Sequence, residues 1–85
     1  MKKIEFNQNK NVIFAQVAAL RKKKGLSQKD LAVQMQLMNV NIDQQMISRI
    51  ERNKRIVTDY ELACLCKILG VTEREMLQDL YDNFL

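Results

Sequence analysis

Four residues in one short stretch, Gln44, Gln45, Ser48 and Arg49, have the side chains and the spacing to read the edges of nucleic-acid bases. A glutamine amide donates to adenine N7 and accepts from its N6 amino group, so it recognises an A·T pair from the major groove. An arginine guanidinium bridges guanine O6 and N7, or clasps a phosphate. Arg49 follows Gln45 by four positions, one turn of a helix, which puts the two on one face. Ser48 beside them is short enough to allow close approach, and its hydroxyl can bond a base or a phosphate. The run Arg52-Asn53-Lys54-Arg55 comes directly afterwards and can hold a sugar–phosphate chain. That part supplies affinity with little sequence choice and steep salt dependence. Gln28 and Lys29 stand at the start of an earlier helix, where free N–H groups also favour a phosphate.

Taken singly, these features are ordinary. A Gln-Gln pair is common on a solvent-facing helix, and a run such as RNKR is more often plain solvated surface. Lys22-Lys23-Lys24 suits the negative end of a helix dipole and stays outside the candidate site. Met35, Met38 and Met46 read as core filler. What points to a groove is the combination: a capped short helix, glutamines in its first turn, an arginine one turn on, and a basic exit.

The elements that must carry these groups are helical. Apolar residues at Ile13, Val17 and Leu20 recur at helical spacing over residues 12–24, with Phe14, Ala18 and Arg21 beside them. Asn9 or Asn11 can cap this first helix, and Gly25 can close it in the left-handed region. Ser27 and Asp30 form a capping-box pattern that opens a second helix with Leu31, Ala32, Met35 and Met38 inward. Asn39-Val40-Asn41-Ile42 breaks the pattern and reads as a joint. Asp43 is a good N-cap for a third helix running from Gln44 to about Arg52, with Met46, Ile47 and Ile50 available to the core. Asn53 suits a left-handed position after it. Thr58 with Glu61, and Thr72 with Glu75, open two more helices. Gly70 ends the fourth, whose inward stripe is Leu62, Leu65, Cys66 and Leu69; the fifth holds Met76, Leu77 and Leu80. No alternation of strand type persists. The expected fold is all-α with five helices, in which consecutive helices across a joint can lay one of them in a major groove.

Composition narrows the function classes. Eighty-five residues, 47% of them apolar, make one domain with a modest core. Residues 1–55 hold twelve Lys or Arg against four Asp or Glu, a net of +8, while residues 56–85 hold two against six, a net of −4. One end of the chain attracts a polyanion and the other does not. With no histidine and no clustered carboxylates, general acid–base catalysis lacks its usual groups, and we expect neither an enzyme nor a cofactor. Cys64 and Cys66 sit two apart in a helix and do not face each other, so we expect neither a mutual disulfide nor a metal site. We see no signal peptide and no membrane-spanning run, and expect a cytoplasmic protein with reduced thiols.

The stretches LRKKKGLSQKDLA, MISRIERNKR and YELACLCKILGVTEREML, in that order, resemble the Cro/C1-type helix-turn-helix family, often called the XRE family. The resemblance spans about residues 12–80. It implies a five-helix, lambda-repressor-like domain that binds double-stranded DNA as a transcriptional regulator, most often a repressor. By motif position it implies base reading by Gln44, Gln45, Ser48 and Arg49. It also implies a phosphate contact from Gln28, a basic exit at Lys54 and Arg55, and a partly buried salt bridge between Arg21 and Glu51 that orients the reading helix. About five extra residues across 36–43 lengthen the joint relative to that family, and Asn53 stands where a glycine is usual. A homodimer on a palindromic operator would suit so small a domain, with Tyr81, Phe84 and Leu85 of a C-terminal tail, residues 81–85, as candidate contacts; these residues can also pack back on the last helices. Residues 1–11 are expected as a partly ordered arm. The rival reading is a protein-interaction module of the same fold, antitoxin-like or anti-repressor, without specific DNA binding.

Overall fold

Local capping chemistry explains most helix boundaries in the computed structural model, which describes residues 5–85. The helices are α1 (Phe14–Lys23), α2 (Gln28–Leu37), α3 (Gln44–Glu51), α4 (Asp59–Leu69), α5 (Glu73–Met76) and α6 (Gln78–Phe84). Ser27, Thr58 and Thr72 each complete a reciprocal capping box, with Asp30, Glu61 and Glu75 respectively. The Asp43 carboxylate accepts from the Met46 N–H at 2.8 Å and starts α3. Each such cap contributes about 0.5–2 kcal/mol. The far ends of the first four helices meet left-handed residues at Gly25, Asn39, Asn53 and Gly70, with φ of 71, 62, 59 and 75°.

Three expectations need correction. The described residues hold six helices rather than five, because Leu77 leaves helical geometry (φ −95°, ψ 9°) and divides the last element into α5 and α6. Tyr81 to Phe84 lie within α6. At the front of α1, neither Asn9 nor Asn11 is the cap: Ile13 holds that place without side-chain help, and Asn11 Oδ1 accepts from the Ile13 N–H at 3.0 Å. Met38, expected inward, is 39% exposed. It lies past the end of α2, and the core space there is taken by Val40 and Ile42, which fold back from the joint.

The core joins one buried stripe from each of the first five helices: Val17, Leu31 with Met35, Ile47 with Ile50, Leu65, and Met76. Leu20, Met46, Leu62 and Leu77 are half-buried around it. The joint at residues 38–43 is long and lacks glycine, as expected, yet it is tied at several points. Val40 N–H donates back to Met35 O at 3.0 Å, Ile42 N–H to Val40 O at 2.9 Å, and Gln36 Nε2 to Ile42 O at 3.0 Å. Among the described residues no helix is long and apolar enough to cross a membrane. Both cysteines are unpaired, and burial, with Glu73 and Glu75 nearby, pushes the Cys66 thiol up to about 11, so it stays protonated.

Glu61 gives the fold a dependence on acid. Its carboxylate, in a residue only 3% exposed, accepts from Arg55 Nη1 and Nη2 at 2.9 and 3.0 Å and from the Thr58 N–H at 3.0 Å. Burial alone would push this carboxyl up, but Arg55 and the Thr58 N–H pull harder, and the net position is below the ordinary 4.5. A carboxyl depressed in the folded state stabilises fully above its unfolded value and loses that contribution as pH falls through the folded one. Thermal unfolding should therefore show Glu61→Gln less stable than wild type at neutral pH, with the gap closing below pH 4.5. A gap of constant size across that range would refute this assignment.

Candidate nucleic-acid interface

Ile47 and Ile50 are fully buried and Met46 half-buried, so they fix which side of α3 faces the core. At about 100° per residue, Gln44, Ser48, Arg52, Gln45 and Arg49 then fall in sequence around a single outward arc of roughly 140°. All of them are exposed except Ser48, which is half-buried. The first turn carries no acidic side chain beyond the Asp43 cap. Nothing in the lengthened joint turns Gln44, Gln45 or Arg49 inward.

A buried ionic network sets the angle of this helix. Arg21 of α1 grips Glu51 of α3 in a two-point contact, Nε to Oε2 at 2.6 Å and Nη2 to Oε1 at 3.0 Å. The Glu51 carboxylate and the desolvation around it act in opposite directions on Arg21, and the balance raises its pKa. Arg21 Nη1 also donates to Leu26 O at 2.9 Å, tying the turn before α2 into the same network. Gln28 joins from the first turn of α2, its Nε2 donating to Glu51 Oε1 at 3.1 Å. Three helices therefore converge on one carboxylate. One Gln28 amide N–H is committed internally, and the Asp30 N–H is taken by the Ser27 cap, so the groups left for an anion here are the second Gln28 amide N–H and the Lys29 ammonium.

The exit from α3 divides into free and committed groups. Lys54 is exposed, as is Lys29 at the head of α2; Arg52 is exposed too, with its Nε donating to Ser48 O at 3.4 Å and its two terminal nitrogens left outward. Arg55, expected to be free, instead pairs with Glu61 and also donates to Ile56 O at 2.8 Å. Asn53 is likewise committed. Its Oδ1 accepts from the Lys10 and Asn11 N–H groups at 2.9 and 3.3 Å, and its Nδ2 donates to Asn9 Oδ1 at 2.7 Å. Its backbone takes the left-handed conformation expected of it, and Lys54 N–H closes on Arg49 O at 2.8 Å. Glu61, Asn9 and Asn11 went unassigned from sequence as partners of this loop. The capping pattern at Thr58 marked Glu61 for another purpose, and the asparagines lie some forty residues away along the chain.

Comparison with known proteins gives the family and the fold. The helix-turn-helix family model, of Cro/C1 or XRE type, matches residues 17–76. A search of curated proteins finds no match. Among solved structures, the restriction-modification controller protein C.AhdI from Aeromonas hydrophila is similar at 28% identity and a TM-score of 0.66, over 75% of this chain and 86% of its own. The clp gene regulator ClgR from C. glutamicum gives 21% identity and a TM-score of 0.72, over 89% of this chain and 92% of its own. The DNA-binding domain of BldD gives 24% and 0.66, over 85% and 97%. The last two bear on the fold alone.

Proposed function

Because this chain belongs to the helix-turn-helix family of Cro/C1 type, a family of DNA-binding transcription regulators, we propose that it reads a specific duplex sequence by laying α3 in the major groove. The observation that carries this reading is the outward arc of α3, where Gln44, Gln45, Ser48 and Arg49 stand clear of the core. Gln44 and Gln45, in the first turn, reach deepest and suit adenine; Arg49, one turn on, suits guanine. Lys29, Arg52 and Lys54 hold phosphates on either side, with Gln28 able to add the second N–H of its amide or a backbone N–H of the same turn.

Repression is the simplest use of such a domain, since its occupancy of a promoter excludes other proteins from that stretch. The likeness to a restriction-modification controller protein supports a regulator, without bearing on the sign of its action. A single module buries about 600–1,000 Å² on DNA, so a homodimer on a palindromic operator gives the affinity that one copy lacks. Tyr81 and Phe84 of α6 and Leu85 just after it keep exposed apolar surface, even with Arg74 over the Tyr81 ring and Phe6 edge-on to Phe84, and support a contact there.

Selection of bound duplexes from a random library tests the whole reading. An enriched motif of two inverted half-sites is the expected result. Enrichment of a single half-site would remove the dimer, and no enriched motif would overturn specific regulation in favour of a protein-interaction module.

A further inference from the structure

The N-terminal arm is bonded to the end of the reading helix through a side chain with no role in the interface described above. Asn11 is 8% exposed, and both of its amide N–H groups and its carbonyl oxygen are bonded. Nδ2 donates to Ile50 O and to Arg55 O, both at 3.0 Å, while Oδ1 accepts from the Ile13 N–H at 3.0 Å. Ile50 lies in the last turn of α3 and Arg55 lies beyond the exit loop. One amide thus clips the two ends of the segment that carries Arg52, Asn53 and Lys54. The same arm takes hold of the middle of that segment, through the contacts of Lys10, Asn11 and Asn9 with the Asn53 side chain.

The helix does not need this clip for its own ending. Asn53 N–H donates to Ile50 O at 3.1 Å and Lys54 N–H to Arg49 O at 2.8 Å, which completes a Schellman closure from backbone alone. What the arm adds is the placement of the exit loop against the start of α1. The side-chain amides do this, since the loop's own Arg52 and Lys54 point to solvent.

We propose that Asn11 is a positioning residue for DNA-backbone binding: by clipping Ile50 O to Arg55 O, it presents Lys54 to a phosphate in a fixed geometry. The inference rests on the reading that the exit loop faces the DNA backbone. Without the clip the loop is free to swing away from the groove, and the Lys54 ammonium no longer reaches its phosphate, so one ion contact is lost with it.

The test is binding of the full chain to a random-sequence duplex across a salt series, at a temperature where circular dichroism shows each variant folded. Asn11→Ser keeps the oxygen that accepts from Ile13 and removes both donors. It is expected to lose about three- to tenfold in affinity at low salt. The slope of log K against log salt should fall by about 0.9, one phosphate contact, as for Lys54→Ala. The double variant should be no weaker than Lys54→Ala alone, because both changes remove the same contact. A purely structural role would lower the melting temperature and leave the slope alone. If Asn11→Ser does not fold, Asn11→Thr serves: its hydroxyl likewise accepts from the Ile13 N–H, it lacks the two amide donors, and it should lower the slope likewise. A normal slope in the folded clip variant, or additive losses in the double variant, overturns the positioning role while leaving the loop's contact with DNA intact. An unchanged slope in Lys54→Ala removes that contact and the proposal together.

Discussion

Arg21→Met is expected to destabilise the domain by about 3–5 kcal/mol, measured as the change in unfolding free energy in urea. The Glu51 carboxylate accepts from Arg21 at 2.6 and 3.0 Å, and the two side chains are only 11% and 8% exposed. Removing the arginine leaves a buried charge with Gln28 as its one remaining side-chain partner. A domain of this length has roughly 4–13 kcal/mol of stability in all, so the loss takes from about a quarter of it to the whole. The paired replacement Arg21→Met with Glu51→Met should recover most of the loss, because apolar side chains of similar volume remove the desolvation problem as well as the attraction. A single-variant loss under about 1 kcal/mol would show the pair to be solvated and unimportant to the angle of α3.

The second large effect concerns sequence choice. Arg49→Ala should weaken binding to the selected duplex by roughly fivefold to 150-fold, the range of about 1–3 kcal/mol that a two-point base contact contributes. On a scrambled duplex the same variant should lose far less. Lys54→Ala should behave in the opposite way, weakening both duplexes by the same factor and lowering the salt slope. Fluorescence anisotropy with the two duplexes separates these patterns directly. Equal losses on both duplexes for Arg49→Ala would reassign it to a phosphate. The same measurement on Gln44→Ala and Gln45→Ala shows which of the two glutamines reads a base, since only that one should relax the motif.

What could be read from the chain, and what could not, divides by sequence distance. Capping boxes are contacts across three residues, so Ser27 with Asp30, Thr58 with Glu61 and Thr72 with Glu75 declare themselves as patterns, and each forms. The outward arc of α3 follows from the spacing of Ile47 and Ile50 in the same way. Asn53 was legible by its backbone preference and illegible by its side chain, whose partners lie 42 to 44 residues away. The Arg21–Glu51 contact spans 30 residues, and only the family resemblance suggested it. Arg55 looked like any exposed cation beside Lys54. Its different fate depends on Glu61, which a helix start carries into the core alongside it. The break at Leu77 has no proline or glycine to announce it.

The joint at residues 38–43 has a thermodynamic consequence. With Val40 and Ile42 seated in the interior and its backbone bonded back to α2, it behaves as a bracket. Helices α2 and α3 then meet DNA as one preorganised unit, with no folding transition coupled to complex formation. A calorimeter should accordingly find a heat-capacity change on binding that the contact surface alone accounts for, without the excess that accompanies a segment folding onto its target.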